Sequence, residues 1–331
     1  MYSNWLESSK NSYLDDLNHG IELLFNDCDF KEAVNLFIQL KTSLTELAEF
    51  NDDELKLQVY LNYYLGLGFH HQGLFDQSRE VLLESIRIYE MIKDENLYLL
   101  IDIVLTLVEL ESFYNNQEQI KQYYLLLKPY YDEIEHYTQG DVGLRLKLTN
   151  SVITIEGLYY KLSNTNRDRL KAEDLFRKLL SDTTIMDNYK YYILPHLIEL
   201  LLLEWKLYRS PEIFDEIISL IKIIENINRD ILTGCYYKRS DISLLLIKAK
   251  IGVVSGDFNL AWEIYEQAKQ LAINMDFKDL IIHIKEEVDD LNQEFTKLKN
   301  IVNTNQEMAT ELEAENLLTY IEAVLQFSKK N

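Results

Sequence analysis

Cys28-Asp29-Phe30-Lys31-Glu32-Ala33, Gly73-Leu74-Phe75-Asp76-Gln77-Ser78 and Gly256-Asp257-Phe258-Asn259-Leu260-Ala261 are variants of one short pattern. Each opens with a small residue, places Phe two positions later and closes three positions beyond that on Ala or Ser. Apolar residues recur at helical spacing on both sides, so the pattern reads as the turn of a helical hairpin. A hairpin cannot cover its own apolar face and must stack on a neighbour, so recurrence of the turn predicts an all-α repeat array.

Working outward from the second copy, residues 59–92 form one unit. Leu65 and Gly66 sit where the first helix must approach its partner, Gly73 closes the turn, and Phe75, Ser78, Leu82 and Ser85 shape the second helix. A small-large-small face of this kind fits against a neighbouring helix. The unit from Ile242 repeats the arrangement with Ala249, Gly256, Phe258, Ala261, Tyr265 and Ala268, and the unit from Leu14 offers Phe30, Ala33, Phe37 and Leu40. The small position of the second helix falls at Ala33, Ser78, Ile120, Ala172, Phe214 and Ala261, in steps of 45, 42, 52, 42 and 47 residues. The longest step contains Ser163-Asn164-Thr165-Asn166, which reads as an extended turn.

Fourteen helices are expected, over 10–26, 29–48, 53–72, 75–92, 95–114, 117–136, 141–162, 168–181, 187–208, 211–227, 231–254, 257–275, 277–302 and 306–328. They make about seven hairpins. Residues 1–276 form the array, and 277–331, rich in Glu and Asp, form a capping pair continuous with it. Ser210-Pro211 reads as an N-cap followed by proline in the first turn, whereas Pro195 should bend its helix or mark the true start.

Composition agrees with helix, because 10 Gly and 3 Pro in 331 residues leave few breakers. The formal charge of -22 repels phosphate backbones and anionic lipid, so neither nucleic acid nor a membrane is expected as a partner. A basic peptide or protein would be drawn to such a field, and the same charge also serves solubility. Residues 1–20 lack the apolar stretch of a signal peptide, and no run reaches the ~18 apolar residues of a membrane span. A soluble, cytoplasmic protein is expected, with Cys28 and Cys235 as small buried hydrophobes.

The marker positions resemble the tetratricopeptide repeat, well in 242–275 and fairly in 59–92, although the steps are longer than the 34 residues of the standard repeat. The resemblance implies a right-handed superhelical α-solenoid whose first helices line a concave groove. Carried over position by position, the groove residues are Asp15, Asn18 and Glu22, then Tyr60, Tyr63, His70 and His71, then Asp102 and Glu109, then His196, Glu199 and Lys206, and finally Lys250. Asn18 and Glu22 stand where the relatives that grip chaperone tails carry Lys and Asn, so that activity is not implied. The long hairpins are also similar to those of the bacterial Rap-type peptide-pheromone receptors, here without an expected DNA-binding segment.

Tyrosine is in excess at 23 residues and comes in doublets such as Tyr63-Tyr64, Tyr159-Tyr160 and Tyr191-Tyr192. Neighbours on a helix diverge by ~100°, so one ring of each doublet can pack between helices while the other reaches a surface. Core filling accounts for the same pattern. His70-His71 has no His or Cys at ligand spacing, and no catalytic or phosphate-cradling motif occurs, so no metal, cofactor or enzymatic activity is expected. Carboxylates such as Glu286-Glu287 read as solvated. The functional expectation is a non-enzymatic module that binds a peptide or helical segment of a partner in the groove. A peptide-responsive regulatory receptor and a scaffold subunit of a larger assembly are the alternatives.

Overall fold

The computed structural model describes residues 11–45, 51–92, 96–182, 185, 187–230 and 234–304. Those residues are helical with connecting turns and contain no strand. The helix expected over 306–328 lies outside them. The chain divides into two compact units, one of residues 1–200 with 229–237 and one of 201–228 with 238–331.

In the first unit the elements are α1 (Asn11–Glu22), a π-helical turn (Leu23–Asp27), α2 (Phe30–Thr45), α3 (Asp52–His71), α4 (Phe75–Ile92), α5 (Leu97–Phe113), α6 (Gln117–Asp132), α7 (Ile134–Thr138), α8 (Val142–Lys161), α9 (Asn166–Ser181) and most of α10 (Asp187–Tyr208). α1 packs on α2, α3 on α4, α5 on α6 and α8 on α9, and each pair then meets the next through α2 and α3, α4 and α5, or α6 and α8. The first helices also touch one another, α3 with α5 and α5 with α8. This is hairpin-on-hairpin packing, in which each supersecondary unit dries its neighbour. The second unit holds the end of α10, most of α11 (Pro211–Asp230) and of α12 (Gly234–Ser255), α13 (Phe258–Asn274) and α14 (Lys278–Thr304), with α13 packed on α14.

Five of the turns share one conformation. Cys28, Gly73, Asn115, Arg209 and Gly256 adopt left-handed φ of 59, 70, 53, 53 and 85°, each two residues before the next helix begins. The intervening residue caps that helix where it can: Asp29, Asn116, Ser210 and Asp257 each accept a hydrogen bond from the backbone N–H three residues on. The first position of the sequence pattern is thus a left-handed site, which explains glycine at two of them.

The Phe of the pattern joins one hairpin to the next. Phe30, first residue of α2, meets the His71 ring at the end of α3 at 4.9 Å, and Phe75, first residue of α4, meets Phe113 at the end of α5 at 4.9 Å. Side-chain amides reinforce the same level: Gln72 Nε2 donates to the Phe30 carbonyl at 2.8 Å and Gln117 Nε2 to that of Tyr159 at 2.9 Å.

Within hairpins the small residues set the separation. Ala33, Ser78, Ala172, Ala249, Ala261 and Ala268 are fully buried, and the Ser78 hydroxyl donates to the Gly66 carbonyl at 2.8 Å. A Cβ at Gly20, Gly66 or Gly157 would lie 2.3, 2.6 or 2.4 Å from Phe37, Leu82 or Phe176, the large residue one turn after the small one. Gly66 is the member of this set visible in the sequence pattern. Gly20 and Gly157 extend it. In α12 and α13 the contact is reversed in size, with Gly252 against Ala261.

Three expectations are corrected. The helix expected over 117–136 stops at Asp132, one turn after Pro129, and resumes as α7. Of the two readings of Pro195, the one in which it marks the true start of its helix is overturned, since α10 begins at Asp187 and runs through it. Cys28 is half-buried and disulfide-bonded, not a small core hydrophobe, while the Cys235 side chain lies outside the described residues.

Gly157→Ala tests the close contact. Helix propensity alone would favour alanine by roughly 1 kcal/mol. Overpacking against Phe176 should reverse that sign and cost about 1–3 kcal/mol in urea unfolding, with partial recovery on adding Phe176→Leu. A more stable single variant would show that the helices have room to spare.

Candidate functional site

The residues expected to line a groove fall into distinct environments. Tyr60 and His70 are core: the Tyr60 hydroxyl accepts from Asn96 Nδ2, and the His70 ring stands edge-on to Phe75 at 5.6 Å. Tyr63 is half-buried beside Tyr64, and His71 is occupied by Phe30. Asp15, Asn18 and Glu22 are exposed on α1. Lys206 is exposed near the end of α10, in the second unit. Lys250 is taken up by α14, as described below.

Three of the expected residues, Asp102, His196 and Glu199, are tied to α8, at two separate levels. Asp102 and Glu109 on α5 and His196 and Glu199 on α10 flank α8, which supplies Lys147, Ser151 and Lys161. At one level Lys147 pairs with Asp102 at 2.7 Å, its ammonium lies 5.1 Å from the Tyr98 ring centroid, and the Tyr189 hydroxyl bonds Ser151 Oγ at 2.8 Å. Nearly four turns along α8, Lys161 pairs with Glu199 and donates to His196 Nδ1 at 2.9 Å. A lysine can only donate, so His196 carries its proton on Nε2 in this arrangement. Lys147 and Tyr189 mark the start of this stretch of α8 and α10, and Lys161 and Glu199 its end, so the two helices run parallel. The Gln117 bond to Tyr159 likewise sets the end of α5 beside the end of α8.

Burial decides the electrostatics. The Asp102 carboxyl lies above the usual carboxylate range because desolvation outweighs the Lys147 charge. Tyr189, buried and only partly relieved by Ser151, is pushed up beyond the ordinary phenol range. Tyr192 rises for the same reason, with the Glu109 carboxylate adding to the effect, and its ring meets His196 edge-on at 5.5 Å.

The second unit contains another inward charge cluster. Arg239 holds buried Asp279 through both guanidinium NH groups, at 3.2 and 2.5 Å. Glu287 receives Lys250 at 2.7 Å, His283 at 3.0 Å and the Tyr265 hydroxyl at 3.2 Å, tying α12, α13 and α14 together. Glu287 is therefore not the solvated carboxylate the sequence suggests. Burial alone would raise its carboxyl, but Lys250 and His283 prevail and hold it below 4.5. No helix among the described residues is long and apolar enough to cross a membrane, and no group of three or more His, Cys, Asp or Glu there could hold a metal ion. No protein-family model matches the chain, and no curated protein is significantly similar to it.

The two clusters respond oppositely to change. For Asp102 the charged form is disfavoured in the fold, so Asp102→Leu with Lys147→Met should leave urea stability unchanged or raise it by about 1–2 kcal/mol, whereas Lys147→Met alone should cost about 2 kcal/mol. Glu287, with its folded value depressed, contributes stability that is present above 4.5 and fades as pH falls through the lower folded value. Glu287→Gln should cost about 2 kcal/mol at pH ~7 and remove that loss in acid, read from unfolding curves across pH.

Proposed function

We propose that the chain is a tetratricopeptide-like α-solenoid, a right-handed array of about seven hairpins, that binds a peptide or helical segment of a partner protein on its first helices without catalysing a reaction. The observation that supports this reading is the side-by-side placement of α5, α8 and α10, which groups tyrosines, lysines and carboxylates from three successive hairpins on one face. A peptide needs such a surface: rigid rings for contact area, and fixed polar groups at intervals for orientation. Tyr98, His196 and Leu105 are half-exposed there, and Glu109 is exposed.

A regulatory receptor that changes shape on binding a short peptide is the second form of the same proposal, favoured by ion pairs that cross between hairpins at this face and would shift if the hairpins moved. The expected partner is protein.

A photo-crosslinking residue placed at Leu105, in the middle of the face, should capture a partner in cells, and the same residue at exposed Leu125 on α6 should not. Leu105→Arg should abolish capture by a crosslinker at position 98 while leaving thermal unfolding nearly unchanged. Equal capture from positions 105 and 125 would remove the face from the proposal.

A further inference from the structure

A lysine, a histidine and a glutamate come together in each unit. In the first, Lys161, the last residue of α8, meets His196 and Glu199, one turn apart on α10. In the second, Lys250 on α12 meets Glu287 on α14, with His283 one turn before it. The two clusters differ in which group stands in the middle. Glu287 lies between two nitrogens, Lys250 Nζ at 2.7 Å and His283 Nε2 at 3.0 Å, with the Tyr265 hydroxyl at 3.2 Å. In the first unit it is the Lys161 ammonium that lies between the Glu199 carboxylate and His196 Nδ1, the latter at 2.9 Å. An ammonium has only protons to give, so this cluster holds only while the imidazole is neutral.

Free imidazole gains its proton near pH ~6.5. A protonated His196 would set a second cation 2.9 Å from Lys161 and leave Nδ1 no lone pair with which to accept. Another partner is within reach, because Glu199 Oε2 lies 3.8 Å from Nδ1 on the same helix. Around the ring also stand Tyr192 of α10, whose phenol burial pushes well above its ordinary range, and Phe176 of α9, and neither titrates in mild acid. The Lys161, Glu199 and His196 side chains keep 18, 27 and 22% of their exposure, so water can deliver the proton while the charges are only partly screened.

We propose that Lys161, His196 and Glu199 form an acid-released latch: protonation of His196 draws Glu199 away from Lys161 on the neighbouring hairpin to His196 on its own helix, and frees the end of α8 from α10. The proton comes from solvent and no covalent bond changes. Toward the start of α8 the Tyr189 hydroxyl holds Ser151 at 2.8 Å, and its phenol, raised by burial, does not titrate in this interval, so the release is confined to one end of the helix. The cluster of the second unit responds the other way. A protonated His283 is attracted to Glu287, whose carboxyl Lys250 and His283 hold below 4.5, so mild acid leaves that cluster closed. The latch is independent of what the α5–α8–α10 face binds.

The test is hydrogen–deuterium exchange of the whole chain at pH ~7.5 and ~5.5, scaled for the intrinsic exchange rate and read over residues 157–163 and 278–291. The latch expects amides of 157–163 to lose protection roughly tenfold or more at the lower pH, while 278–291 keeps its own. His196→Gln offers an amide oxygen that accepts from Lys161 at either pH, so its 157–163 segment should stay protected at both. Lys161→Met removes the tie outright and should show the low protection at both, which keeps the question answerable if the glutamine variant does not fold. A parent segment equally protected at the two pH values overturns the latch, as does a matching loss at 278–291. An acid-dependent loss that persists in His196→Gln or in Lys161→Met also overturns it, and assigns the response to another group such as the Asp102 carboxyl, which burial raises.

Discussion

A glycine on the first helix of a hairpin, facing a bulky side chain on the second, is the contact on which the rest of this architecture depends. At Gly20, Gly66 and Gly157 the backbone itself forms the receiving surface for Phe37, Leu82 and Phe176. Interior packing at crystal-like density leaves no slack for a methyl group there. The helix pair is thus fixed in separation and rotation, which fixes where the turn points the Phe that opens the second helix. Phe30 and Phe75 then reach the end of the next hairpin, so that the tightness inside one unit becomes the register between units.

That chain of dependence explains why helices were legible and surfaces were not. The left-handed turn site, the capping residue and the aromatic lie within three consecutive positions, and local patterns of that kind survive in a single sequence. The set still reads incompletely where chemistry substitutes: Asn115 and Arg209 hold the left-handed position that glycine fills elsewhere, at a modest conformational cost, and hide two turns from a search for small residues. Gly20 and Gly157 were hidden by the variable length of the segment between them and their partners. The break after Asp132 needed the structure, since a proline in a long amphipathic pattern does not state whether the helix absorbs it, and α10 does absorb Pro195.

The candidate face was half legible for a different reason. Transferring repeat positions locates which residues project from the first helices, but not which of them are claimed by the neighbouring hairpin. Tyr60 and His70 project, and are covered. Glu287 sits in an acidic stretch that a solvated helix would explain, yet it is the meeting point of three helices, because its partners lie 37 and 22 residues upstream at Lys250 and Tyr265. His196 and His283 appear solitary by spacing, and each belongs to a charged cluster. Contacts across the repeat period, some four dozen residues, leave no local signature.

Net charge illustrates the same separation of scales. An overall charge of -22 suggests a broadly attractive field for basic partners, but a field steers an encounter and does not by itself specify a docked pose. Specificity requires particular carboxylates that are not already neutralised. On the α5–α8–α10 face Asp102 and Glu199 are spent on Lys147 and Lys161, where they hold hairpins together, and burial makes Asp102 a costly holder. Glu109 is exposed, and among the described residues no ion pair engages it. A long-range field can bring basic segments to a surface, and the pairs already formed there decide which of its carboxylates the field's visitors could meet.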